Sequence, residues 1–102
     1  MKKEEIINCC LNALDLFEVI PNLKENKKYT RIAKETRQTL LEVKKALKNN
    51  VPIKKITKYL KDYIQFVENT YKTNERNITF AHFCFRVQRL IYSIIKVLNG
   101  KV

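Results

Sequence analysis

The chain has 102 residues, enough for one domain with a single core, and 45% of them are apolar, as in ordinary globular proteins. One glycine and two prolines give few turn signals, which excludes a β-sandwich and favours long helices joined by short loops. The 21 lysines and arginines against 10 acidic residues give a net charge of +11, which attracts nucleic acid, an acidic protein or a lipid surface.

Four amphipathic helices are predicted in chain order. The first covers residues 4–20, where apolar residues recur every three or four positions before a proline. The second begins at about Tyr29 and ends at the segment KNNVP. Pro52 suits the first turn of the third helix, where its missing N–H costs nothing. Thr79 is predicted to cap the fourth helix, and Gly100 stands just past its end.

The two halves of the chain repeat one apolar pattern. The matched positions are Ile7, Leu11, Leu14 and Phe17 with Ile56, Leu60, Tyr63 and Phe66 at an offset of 49, and Leu40, Val43, Ala46 and Leu47 with Ile91, Ile94, Val97 and Leu98 at an offset of 51. We therefore predict a single all-α domain, residues 1–102, with four antiparallel helices in two similar helix–loop–helix hairpins, about 1–50 and 51–102. The alternative, that unrelated amphipathic helices resemble one another, also leaves four helices.

The fourth predicted helix, ITFAHFCFRVQRLIYSIIKVL, is apolar around most of its circumference. Its large apolar residues are Phe80, Phe83, Phe85, Leu90, Ile91, Ile94, Ile95 and Leu98. They exceed what one narrow core can face, so we expect a partner or a second copy to cover the remainder. The first hypothesis is a non-enzymatic interaction module that binds a peptide or partner segment between the two hairpins. The predicted groove residues are Tyr63, Phe66, Phe83, Val87, Leu90 and Tyr92.

A lysine-rich segment, KKALKNNVPIKKITKYLK, joins the two predicted hairpins and contains no acidic residue. Its lysines are Lys44, Lys45, Lys48, Lys54, Lys55, Lys58 and Lys61. Lys44, Lys45 and Lys48 lie at a predicted helix C-terminus, where cations complement the helix dipole. Lys54 and Lys55 lie at the next N-terminus, where cations oppose it, so helix stability explains only the first group. An anion-binding elbow explains both groups and supports a second hypothesis, a basic nucleic-acid-binding protein. The alternative is a solvated lysine-rich surface.

Tyrosines recur through the second half of the chain, at Tyr59, Tyr63, Tyr71 and Tyr92. A tyrosine combines apolar area with a polar tip, which suits a peptide-binding or base-stacking surface. Ordinary positions at the boundary of the core explain them equally well.

Three cysteines, Cys9, Cys10 and Cys84, form an odd set, which argues against a disulfide framework. We expect them to be small buried apolar residues. His82 is the only histidine, so the chain has too few soft ligands for a zinc site, and we expect no metal and no cofactor. No apolar run approaches the roughly 18 residues of a membrane span, and the start MKKEEIINCC is not a secretory signal, which predicts an intracellular protein.

The segment RNITFAH places an arginine and an asparagine shortly before His82. It resembles the motif of the HEPN (higher eukaryotes and prokaryotes nucleotide-binding) ribonucleases, which are helical bundles of about this length. The resemblance implies that His82 acts as acid or base at the 2′-hydroxyl or the leaving oxygen, Arg76 stabilises phosphorane charge, and Asn77 assists positioning. Phe83 and Phe85 replace the tyrosine that often follows the histidine. The alternative is a core or boundary histidine, so no catalytic residue is assigned outside this third hypothesis.

The whole chain also resembles the small orphan helical proteins of archaeal filamentous viruses. The resemblance rests on length, on a composition rich in lysine, isoleucine and asparagine, and on a fold without linkers. It implies a protein of the host cytoplasm that contacts host or virion proteins, and it carries over no site residues.

Overall fold

The computed structural model describes residues 3–17, 27–73 and 78–100. These ranges form four α-helices and no strand, which confirms the predicted all-α class: α1 (Lys3–Phe17), α2 (Lys27–Lys48), α3 (Ile53–Lys72) and α4 (Ile78–Leu98). None of these helices combines the length and apolarity needed to cross a membrane. The finer prediction, two similar antiparallel hairpins in one domain of residues 1–102, stays a prediction.

Two helices end in left-handed residues. Asn50 follows α2 with a φ of 57°. Its N–H donates to the Leu47 carbonyl at 3.3 Å, and the N–H of Val51 donates to the Ala46 carbonyl at 3.0 Å. This pair of bonds is a Schellman motif, which satisfies the last carbonyls of the helix. Gly100 follows α4 with a φ of 69°, as predicted for a residue just past a helix end.

The helix starts differ from the predictions in detail. Pro52 lies just before α3, as its N-cap, rather than in its first turn, and its carbonyl accepts the N–H of Lys55 at 3.0 Å. Thr79 lies inside α4, which already includes Ile78, so its prediction as a cap is wrong. The predicted end of the first helix, residues 18–20, lies outside the described residues.

The core is built around α4, which packs against α1, α2 and α3. The residues that α4 buries are Phe80, Phe83, Cys84, Val87, Ile91, Ile94 and Leu98. Of the eight large apolar residues expected to need a partner, Leu90 and Ile95 are partly buried against this core, and Phe85 is 46% exposed. Because α4 packs against three helices rather than one narrow seam, the uncovered surface of these eight residues is mostly confined to Phe85, and its coverage by a partner stays a prediction.

The inward faces of α2 and α4 bury residues at a constant spacing of 51. The matched buried pairs are Tyr29 with Phe80, Ile32 with Phe83, Thr36 with Val87, Leu40 with Ile91, and Val43 with Ile94. These five pairs are equivalent except that Thr36 is polar where Val87 is apolar; a second buried threonine, Thr39, corresponds to the partly buried Leu90.

Candidate functional site

The six residues predicted to line a groove do not share one accessible surface. Phe83 and Val87 are 1% and 0% exposed, which places them inside the core. Tyr63 contacts α2, whereas the carbonyl of Leu90 accepts from the Cys10 thiol of α1, at 3.7 Å. Tyr92 is 51% exposed on the outer side of α4. In this arrangement the predicted set divides between the core, two different helix interfaces and the surface.

Tyr63 and Phe66 belong to the interface between α2 and α3. The Tyr63 hydroxyl donates to the Ile32 carbonyl at 3.2 Å and lies 2.5 Å from the Thr36 hydroxyl. Because Tyr63 has one proton to donate, Thr36 is the donor in the second bond. Burial raises the pKa of Tyr63 above its ordinary value. The ring of Phe66 lies beneath the Arg31 guanidinium, 5.5 Å from its carbon to the ring centroid.

An apolar crevice lies elsewhere, between the end of α2 and the start of α3. Its volume is about 240 Å³, and it is lined by Glu42, Val43, Ala46, Val51, Lys55, Ile56 and Tyr59. The Tyr59 hydroxyl donates to the Glu42 carboxylate at 2.6 Å, which links the two helices across the crevice. Burial, together with this hydrogen bond, raises the pKa of Tyr59. The crevice coincides with the lysine-rich elbow, but residue types alone did not reveal it.

The seven elbow lysines differ in their surroundings. Lys44 is partly buried, and its Nζ donates to Asn8 Oδ1 at 3.1 Å, so it helps to join α2 to α1. The other six are exposed, and none makes an ion pair within the described part of the chain: Lys45, Lys48, Lys54, Lys55, Lys58 and Lys61. An anion-binding role for them stays a prediction.

The outer face of α4 is a functional candidate whose cations, Arg86, Arg89 and Lys96, were not predicted from the sequence, although Phe85 and Tyr92 were singled out. Its exposed residues recur every three or four positions: His82, Phe85, Arg86, Arg89, Tyr92, Ser93 and Lys96. Residues 76–102 contain no aspartate or glutamate. Phe85 and Tyr92 are 46% and 51% exposed, and the Phe85 ring lies 4.9 Å from that of Tyr71. The sequence feature that indicates this face is the regular spacing of cations in a segment without acidic residues. The same segment is rich in apolar residues, which drew attention to its core instead.

Two hydrogen bonds attach this face to α3. Asn99 Nδ2 donates to Thr57 Oγ1 at 3.2 Å, and Gln88 Nε2 donates to the Ile64 carbonyl at 3.2 Å. Thr57 stands among the elbow lysines of α3, next to Lys58, and the exposed cations of α4 are Arg86, Arg89 and Lys96. We call the combined set the basic surface: Lys54, Lys58, Lys61, Arg86, Arg89 and Lys96. These six make no ion pair with any described residue, whereas Lys72 pairs with Glu68 at 3.6 Å.

The residues of the ribonuclease hypothesis are only partly described. His82 is exposed on α4, so it is not a core histidine, although its neighbours Phe80 and Phe83 are buried. Arg76 and Asn77 lie outside the described residues. The ribonuclease hypothesis therefore stays a prediction.

The three cysteines are free thiols in two different environments. Cys10 and Cys84 are buried as expected, but Cys9 is exposed. Burial raises the pKa of Cys84 to about 12, and burial with the neighbouring Cys9 raises that of Cys10 to about 11. Within the ranges described, no cluster of three or more histidine, cysteine, aspartate or glutamate residues is placed to hold a metal ion.

Comparison with protein-family models, curated proteins and solved structures gave no match to this chain. The resemblances to the HEPN ribonucleases and to proteins of archaeal filamentous viruses therefore stay expectations from the sequence, and the basic surface must be interpreted from its own geometry.

Proposed function

We propose that this protein binds nucleic acid through the basic surface of α3 and α4. The observation that carries the proposal is a set of six exposed cations on two adjoining helices, without ion pairs among the described residues and with no acidic residue in α4. Cations without internal partners are available to phosphates, and neutralising phosphates releases counterions, which drives association.

We infer further that α3 and α4 run antiparallel, which brings the cations of the two helices side by side. Three contacts support this: Thr57 meets Asn99, the residue after α4, while Ile64 and Tyr71 meet Gln88 and Phe85 of α4. These partners follow one another in the opposite order along the chain. Residue numbers rise along one helix as they fall along the other. The same register brings Lys61 near the level of Tyr92, and Lys54 and Lys58 near the last turn of α4.

A similar argument extends to the remaining helices. The contacts of Tyr59 with Glu42, Tyr63 with Thr36, and Phe66 with Arg31 support an antiparallel α2 and α3. The bond between Asn8 and Lys44 joins the first half of α1 to the C-terminal part of α2. Together with the burial spacing of 51, these contacts favour the proposed arrangement of two similar hairpins.

The proposal is tested by fluorescence anisotropy with a labelled oligonucleotide of about 20 nucleotides over a series of salt concentrations. We expect the logarithm of affinity to fall linearly with the logarithm of salt concentration. The double variant Arg86→Glu/Arg89→Glu should bind at least about tenfold more weakly and show a shallower slope.

The matched control is Lys27→Glu/Lys34→Glu, which changes the net charge equally on exposed positions of α2. If this control weakens binding as much as the α4 variant, net charge alone accounts for binding and the assigned surface is wrong. Absence of binding at low salt would remove the proposal altogether.

Peptide or protein binding is a second candidate function, favoured by the crevice between α2 and α3. Most of its lining residues are apolar, Lys55 is among them, and Lys58 lies about one turn further along α3. This combination suits a partner that inserts an apolar side chain flanked by acidic residues. Self-association there is disfavoured because each copy carries a charge of +11.

We expect an acidic peptide with a central leucine to shift the amide resonances of Val51 and Tyr59. Equal shifts from the same peptide with alanine at its centre would exclude a role for the crevice.

A further inference from the structure

Two half-exposed aromatic rings lie within the basic surface. Phe85 and Tyr92 are 46% and 51% exposed and are seven residues apart on α4. Seven residues are two helical turns, so the rings share one face and lie about 10 Å apart along the helix axis. Arg89 lies between them, exposed on the same face. The arrangement alternates ring, cation and ring along one helix.

The fold does not account for the exposure of these rings. Within the described residues Tyr92 makes no hydrogen bond and no ring contact, whereas the other exposed tyrosine, Tyr59, donates to Glu42. Phe85 packs one side against Tyr71, with 4.9 Å between ring centroids, and keeps nearly half of its surface open. Tyr71 therefore holds the Phe85 ring in place while leaving it accessible.

We infer that the basic surface prefers single-stranded nucleic acid, with Phe85 and Tyr92 as two base-stacking platforms; this inference rests on the proposed function. The faces of bases in a duplex are covered by their neighbours, whereas a single strand can present them to aromatic side chains. Every base has a π-face, so this mode tolerates sequence variation. The flanking cations, Arg86, Arg89 and Lys96, then follow the phosphates between the stacked bases.

Four probes of equal length separate stacking from charge: a labelled single strand, the corresponding duplex, an abasic strand that keeps its phosphates, and poly-glutamate. We expect the single strand to bind most tightly by fluorescence anisotropy. Phe85→Ala and Tyr92→Ala should each weaken single-strand binding about 5- to 150-fold, since base–aromatic stacking contributes about 1–3 kcal/mol per base. Neither variant should alter binding of the abasic strand or the salt slope.

The control variant is Leu41→Ala, because Leu41 is 50% exposed on α2 and stands 51 residues before Tyr92. It should leave affinity unchanged, and Tyr92→Trp should restore what Tyr92→Ala loses. If single, duplex and abasic strands bind equally and Tyr92→Ala has no effect, the stacking inference is wrong while electrostatic binding stands. Equal affinity for poly-glutamate overturns nucleic-acid preference, and failure of every probe to bind at low salt overturns the proposed function itself.

Discussion

The second and fourth helices bury equivalent residues yet present different surfaces. At the spacing of 51, the inward residues of α2 and α4 are buried in matched pairs. The outward residues differ: Lys34, Glu35, Gln38, Leu41, Glu42 and Lys45 on α2 correspond to Phe85, Arg86, Arg89, Tyr92, Ser93 and Lys96 on α4. Packing requires the inward pattern of both helices, whereas it requires neither the aromatic rings nor the acid-free charge of α4. The outward face of α4 is therefore where we place function.

The largest effect is expected on the matched inward faces. Leu40→Ala in α2 and Ile91→Ala in α4 each remove a side chain that is 0% exposed, and each should lower the free energy of unfolding by about 2–5 kcal/mol, measured by urea denaturation. The outward pair, Leu41→Ala and Tyr92→Ala, should change it by less than about 0.5 kcal/mol. A cost below about 1 kcal/mol for Ile91→Ala alone would contradict the equivalence of the two inward faces.

The next effect concerns the outward faces and is an exchange between the two helices. Arg86→Glu/Arg89→Gln gives α4 the residues that stand 51 positions earlier in α2. We expect unchanged stability but at least about tenfold weaker binding of a single strand, with a salt slope lower by about two. The measurement is anisotropy as a function of salt concentration.

The reverse exchange, Glu35→Arg/Gln38→Arg, adds the same charges to α2 and breaks only the exposed pair of Glu35 with Arg31, at 3.3 Å. If it strengthens binding as much as the α4 exchange weakens it, the position of the charges does not matter and the contrast between the two faces carries no functional meaning.

The helices themselves could be predicted because apolar residues at three- and four-residue spacing and the residues at their ends, such as Gly100, act locally. The packing of three helices around α4 could not be predicted. Periodicity shows the width of an apolar stripe but not how many helices pack on it. Phe83 and Val87 stand at the centre of that stripe, so they entered the core rather than a groove. The crevice depends on the left-handed turn at Asn50, which the pattern of residue types does not fix.

A smaller effect tests a polar exception between the inward faces, Thr36 of α2 against Val87 of α4. Tyr63→Phe removes the hydroxyl that is hydrogen-bonded to the Thr36 hydroxyl and to the Ile32 carbonyl. Both of these groups then lose that hydrogen bond. We expect a loss of about 1–2 kcal/mol in urea denaturation. Adding Thr36→Val should recover part of that loss. If the double variant instead loses the sum of the two single effects, the hydroxyls are not coupled.

The smallest effect comes from Cys84 of α4, whose counterpart in α2 is Ala33. Burial raises the pKa of Cys84 from 9.0 to about 12. Between these values the folded protein keeps a proton that the unfolded chain loses, so the stabilising contribution is complete below about pH 9 and declines as pH rises. Between about pH 7 and about pH 9.5, the free energy of unfolding should therefore fall less in the Cys84→Ala variant than in the parent protein. The difference should be under about 1 kcal/mol. Lysines titrate equally in both proteins, so the difference isolates the thiol. Parallel pH profiles would show that Cys84 is accessible to water, and the inward face of α4 would then be less closed than that of α2.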